Sequence, residues 1–147
     1  MMHLTHLMKR LTLGVMLSTM PLVGGCADTL TWQEEVKLSD GRVIVVTQKR
    51  RYESAYSGHG SGASSIPREF WLTFKLPEFG NNDIVWHEKL KPRILNLHSG
   101  KLYIVGFPPT GREFDLYGKQ NPPYIGFRYQ AGSWLRIPFA EIPVAIY

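Results

Sequence analysis

Beyond the first thirty residues, polar and apolar positions follow the two-residue period of β-strands, and no helical period interrupts them. The clearest run is REFWLTFKL at 68–76. Phe70, Leu72, Phe74 and Leu76 share one face of it, which predicts that this face lies in the core. Before it, TWQEEVKL (31–38) and RVIVVTQKRRY (42–52) flank Ser39-Asp40-Gly41. Asp-Gly between β-prone runs signals a hairpin, because both residues tolerate positive φ. The segment 53–67, ESAYSGHGSGASSIP, is rich in Gly and Ser and reads as a loop. After 68–76 come a turn, PEFGNND, and a strand, IVWHEKL (84–90), closed by Pro92. RILNLH (93–98) and KLYIVGF (101–107) form a second hairpin about Ser99-Gly100. Residues 108–123, PPTGREFDLYGKQNPP, make a connection with four prolines, long enough to suggest a binding loop. YIGFRYQ (124–130), the turn Ala131-Gly132-Ser133 and WLRI (134–137) complete the series. Pro138 and Pro143 argue against a helix in the tail.

The two halves of this series resemble each other. VKLSDGRVIVV (36–46) aligns with LNLHSGKLYIV (95–105) at an offset of 59, and each half runs on to a strand holding Trp86 or Trp134. Each half is therefore expected to be a four-stranded antiparallel meander. Two such units cannot close a propeller, which needs about four. The expected fold is all-β, with about eight strands in a small antiparallel sandwich or a partly open barrel. Phe70, Phe74 and Trp134 are assigned to its core.

The first thirty residues follow different rules. Residues 1–10 end in Lys9-Arg10, residues 11–23 are nearly all apolar or small, and Gly24-Gly25-Cys26 follows. A basic start, a short apolar middle and small residues before a cut are the layout of a secretory signal. At 1.5 Å per residue, a helix over that apolar run is too short to span a bilayer. Cys26 is the only cysteine in the 147 residues, so no internal disulfide is available to it.

Val23-Gly24-Gly25-Cys26 resembles the lipobox of bacterial lipoproteins: an aliphatic residue, two small residues, then the cysteine. The resemblance implies a diacylglyceryl group on the Cys26 thiol, cleavage between Gly25 and Cys26, and acylation of the new amine. Several acyl chains together anchor firmly where one binds only reversibly. The expected organisation is a signal peptide at 1–25, a lipidated tether at 26–30 and a single β domain at 31–147. Ala27 rather than Asp after the cysteine favours the outer membrane over retention at the inner one, with Asp28 one place later. The expected location is the envelope, facing the periplasm. An ordinary signal peptide with a chance cysteine is the alternative.

Charge changes this picture little. The chain carries 17 Lys and Arg against 12 Asp and Glu, a net +5. Loss of Lys9 and Arg10 with the signal leaves +3, too small an excess to argue for nucleic acid. GHGSGA (58–63) matches the glycine pattern of a dinucleotide loop, but a strand rather than a helix follows it, so nothing would hold the pyrophosphate. Ser61 has His59 rather than Gly two places before it, so it is not a nucleophile elbow. His59, His87 and His98 share no metal-ligand spacing. No catalytic residue, metal or cofactor is therefore expected.

Binding is the leading expectation, with the acyl anchor in the membrane and an envelope protein or glycan as partner. The candidate surface is the 108–123 loop with nearby aromatics: Tyr117, Tyr124, Trp71 and Tyr103. Rings provide contact area at low entropy cost, although ordinary packing is the better reading of them. Lys49-Arg50-Arg51 is the one basic cluster, with Lys49 and Arg51 on one strand face and Arg50 on the other. It suits anionic lipid headgroups or lipopolysaccharide phosphate, and reads also as solvated strand-end charge. A hydrolase acting on peptidoglycan or glycan is the alternative function, drawing acids from Glu113, Asp115 or Glu88. Glu34 and Glu35 are neighbours on a strand and point apart.

Overall fold

A computed structural model describes residues 29–55 and 64–147. The signal segment, the lipobox with Cys26, and His59 and Ser61 lie outside the described residues. The fold is an all-β sandwich. Sheet A takes β1 (Thr29–Lys37), β2 (Val43–Ala55), β3 (Ser64–Phe74) and β4 (Ile84–Glu88), and sheet B takes β5 (Lys91–His98), β6 (Lys101–Phe107), β7 (Ile125–Gln130) and β8 (Ser133–Ile137). Each sheet is a four-stranded antiparallel meander in chain order, and the two are separate rather than closed into a barrel.

The alternation in 68–76 does what it predicts: Phe70, Leu72, Phe74 and Leu76 are all buried. They meet Val46, Ile84 and Trp86 of sheet A and Leu95, Leu97, Leu102, Ile104, Ile125 and Phe127 of sheet B in one core. Trp86 meets Phe127 edge to face at 5.5 Å, so one ring pair joins the sheets. The chain passes from β4 to β5 through Lys89 and Leu90 alone. Leu90 is fully buried, and it fits because Gly106 lies beneath it; a Cβ there would stand 2.8 Å from the Leu90 Cβ.

Several boundaries differ from the sequence reading. β1 starts at Thr29, inside the expected tether, and β2 and β3 take residues from both ends of the expected 53–67 loop. Pro92 lies inside β5 rather than closing β4. It is tolerated because β5 is an edge strand, and the register shifts between Pro92 and Ile94. The turn before β8 has two residues, Ala131 and Gly132, both at positive φ, and Ser133 already pairs. Ser99-Gly100 makes the same two-residue turn between β5 and β6.

The 108–123 connection holds an α-helix, α1 (Gly111–Leu116), where none was expected. Six residues are too few to show a helical period. Its start is nonetheless legible in Thr110-x-x-Glu113, the spacing of a capping box. The tail forms two short 3-10 turns, Phe139–Glu141 and Val144–Ile146. They bring Ile142 and Ile146 onto the outer side of sheet B, against Tyr103, Val105 and Ile137. Ile142 sits where a side chain at Gly126 would be, 2.8 Å from that Cβ position. The tail thus covers the outer face of sheet B, and among the described residues sheet A has no such cover.

Candidate functional site

The outer face of sheet A is set by register. Thr31 pairs with Lys49, Lys49 with Trp71, and Trp71 with His87, so one row crosses all four strands. Trp71 and His87 stack at 4.2 Å with their planes 11° apart. The Lys49 ammonium lies 4.6 Å from the centre of the Trp71 ring. With β2 on one side of β3 and β4 on the other, Trp71 is held between the ammonium and the imidazole. Its faces are taken, and what it offers solvent is an edge. His87 is exposed at the end of the row.

Beside His87 opens a cleft of about 350 Å³, lined by Glu69, His87, Glu88 and Lys89 of one half and Leu116, Tyr117 and Arg136 of the other. Such a volume is near the lower end for small-ligand sites. Tyr117 builds its floor. Its hydroxyl donates to Glu88 Oε2 at 2.5 Å and accepts from the Lys89 backbone N–H at 3.2 Å. Burial, and then the Glu88 carboxylate, push the Tyr117 pKa well above its usual value, so the phenol stays protonated and keeps donating. Arg136 lies over the Tyr117 ring at 5.1 Å and donates to the Tyr117 carbonyl at 3.0 Å.

The charges in the cleft are unevenly neutralised. Arg51 pairs with Glu69 at 2.7 Å, and that hydrogen bond holds the Glu69 carboxyl below its usual range. Glu88 is engaged by the phenol. Among the described residues, neither Lys89 nor Arg136 has a carboxylate within ion-pair distance. Two cations and an imidazole therefore face a cleft whose two acids are already occupied. That arrangement favours an anionic ligand.

No family model, curated protein or solved structure matches this chain. The site must therefore be judged on its own residues.

The four aromatics expected to form one surface do not meet. Tyr103 is buried at 5% exposure under the tail, and Tyr117 at 9% in the cleft floor. Tyr124, 37% exposed, belongs to a separate row of rings, Phe107, Tyr124, Phe139 and Tyr147, spaced 5.2–5.7 Å apart. Only Trp71 and Tyr117 flank the same region, one from each side of β4. Trp134, assigned to the core, is half-buried on edge strand β8, where it donates to the Val85 carbonyl of edge strand β4 at 3.0 Å.

The three acids considered for hydrolysis point into three surroundings. Glu88 serves Tyr117. Asp115 is exposed and pairs with Lys119 one helical turn on, at 3.3 Å. Glu113 is 2% exposed and pairs with Arg68 at 2.9 Å, while the Thr110 hydroxyl donates to its other oxygen. Arg68 also holds Glu53 at 2.7 Å, so this cluster ties α1 to the β2–β3 arm. Within the basic cluster, Arg51 is paired as described, Lys49 covers Trp71, and Arg50 lies among rings on the inner face. Among the described residues, no three His, Cys, Asp or Glu group closely enough to hold a metal ion.

Proposed function

We propose that this chain is a bacterial envelope lipoprotein, anchored through Cys26 at the outer membrane and facing the periplasm. Its sandwich serves as a non-catalytic module that binds an acidic glycan in the cleft beside His87. The observation that carries the binding reading is the pair of uncompensated cations, Lys89 and Arg136, over a floor whose carboxylates are already satisfied. A saccharide bearing carboxylate or phosphate groups supplies the missing negative charge and hydrogen-bonds to His87 and the phenol oxygen. The charge pattern of residues 1–10, the apolar run and Val23-Gly24-Gly25-Cys26 support the anchor. Because Glu88, Asp115 and Glu113 have separate partners, no acid-base pair is assembled from them, and binding is favoured over hydrolysis.

Titration of solubilised sacculus fragments and of phosphorylated core oligosaccharide tests this reading. Lys89→Gln and Arg136→Gln are each expected to weaken binding about tenfold, the scale of one charge-assisted hydrogen bond. Lys89→Gln should leave the thermal midpoint near that of the unaltered protein, whereas Arg136→Gln also gives up its hydrogen bond to the Tyr117 carbonyl and should lower it slightly. The reading is abandoned if neither glycan binds saturably, or if both variants bind as tightly as the parent.

A further inference from the structure

The start of β1 and the facing part of β2 carry a patch that the sandwich does not use. Leu30 pairs with Arg50 and Trp32 with Gln48, on the same side of sheet A as the core residue Val46. Leu30 remains 49% exposed, and Trp32 is only partly covered. The Arg50 guanidinium lies 4.9 Å from the Trp32 ring, 5.2 Å from Phe70 and 6.0 Å from Tyr52. It donates to the Tyr52 hydroxyl at 3.2 Å, while its Nε is buried with no partner. Among the described residues, no carboxylate pairs with it. The nearest end of the patch is closed by Glu34, which accepts from the Trp32 indole at 3.5 Å. Rings thus hold a cation in place through their quadrupoles, and no carboxylate of the described residues neutralises it. An exposed aliphatic side chain, Trp, Tyr and a cation side by side are what a lipid headgroup layer accommodates.

Chain length places this patch near a membrane. Four Cα steps separate Cys26 from Leu30. At about 3.3–3.6 Å each, they span at most about 14 Å, however the intervening residues run. With Cys26 acylated, the start of β1 cannot leave the headgroup layer by more than that distance. We propose that Leu30, Trp32, Arg50 and Tyr52 dock on the anionic lipid headgroups of the leaflet holding the acyl chains. β1 then lies along the bilayer, and the module faces a fixed direction instead of swinging on its tether. This inference rests on the acylation of Cys26.

The test uses the mature protein purified from membranes, its N-terminal peptide weighed first, in vesicles of anionic or zwitterionic lipid carrying brominated acyl chains. Tryptophan quenching is expected in anionic vesicles, with most of it lost in Trp32→Phe. Arg50→Gln and Leu30→Ser should each reduce it by at least half, as should high salt for the parent. Circular dichroism confirms that each variant folds. An acylated Cys26 with equal quenching in Trp32→Phe and the parent overturns the docking and leaves the anchor standing. An unmodified Cys26 overturns both.

Discussion

Glu113→Ala is expected to destabilise the protein by about 3 kcal/mol, at the lower end for breaking a buried ion pair. The lower end applies because Arg68 keeps Glu53, whose side chain is half exposed. The loss arises from the Arg68 charge left inside and from the Thr110 hydroxyl left without its acceptor. For a domain of this size it should lower Tm by about 10 °C. Replacing the pair by apolar residues, Arg68→Met with Glu113→Leu, should recover much of that stability, because no charge is then stranded. A double variant as unstable as Glu113→Ala would show that the pair does more than satisfy itself.

The same carboxyl gives the fold an acid dependence. Burial raises its pKa, but the hydrogen bonds from Thr110 and Arg68 outweigh burial and hold it below its ordinary 4.5. A folded-state pKa below the unfolded one contributes stability that is complete above about 4.5. That contribution is lost as the pH falls from there through the depressed value. In Glu113→Ala that part of the acid dependence is expected to vanish, read as a smaller difference in Tm between neutral and acid buffer.

The second large effect is expected at Trp86. This ring is 1% exposed, lies at the centre of the joined core and packs against Phe127 of the other sheet. Trp86→Ala should cost about 3–5 kcal/mol, from lost contacts and the cavity left behind. Its indole Nε1 is buried without a hydrogen-bond partner. Trp86→Phe therefore removes an unsatisfied donor, whose burial costs about 1–3 kcal/mol, while giving up fewer contacts. Trp86→Phe is expected to lie within about 1 kcal/mol of the parent by denaturant unfolding, on the balance of those terms. Equal losses in the two variants would mean that the six-membered ring's packing contributes little.

The pairing of two meanders could be read from the chain because its signals are local. Alternation in 68–76, Ser99-Gly100, and the likeness of 36–46 to 95–105 each concern neighbouring residues. The two tryptophans of the repeat occupy corresponding strands, yet Trp86 is buried and Trp134 lies at an edge. That difference depends on which sheet face meets the other half, which spacing alone does not set. The burial of Glu113 was hidden for the same reason: its partner Arg68 is 45 residues away. Tyr103 looked available because the tail that covers it carries prolines and no period, so nothing marked it as a lid for sheet B. The cleft itself joins β4, the end of α1 and β8, and no single segment announces it. Its one early sign was Tyr117 in a connection too long for a turn.

The mass of the mature N-terminal peptide, taken from membranes of the native host or a close surrogate, decides whether Cys26 is the anchor. A peptide beginning at Cys26 and carrying acyl chains is the predicted result, and it places the cleft within reach of envelope glycans. A peptide that starts elsewhere, or an unmodified Cys26, contradicts the anchor and would direct the search for an acidic ligand to soluble partners.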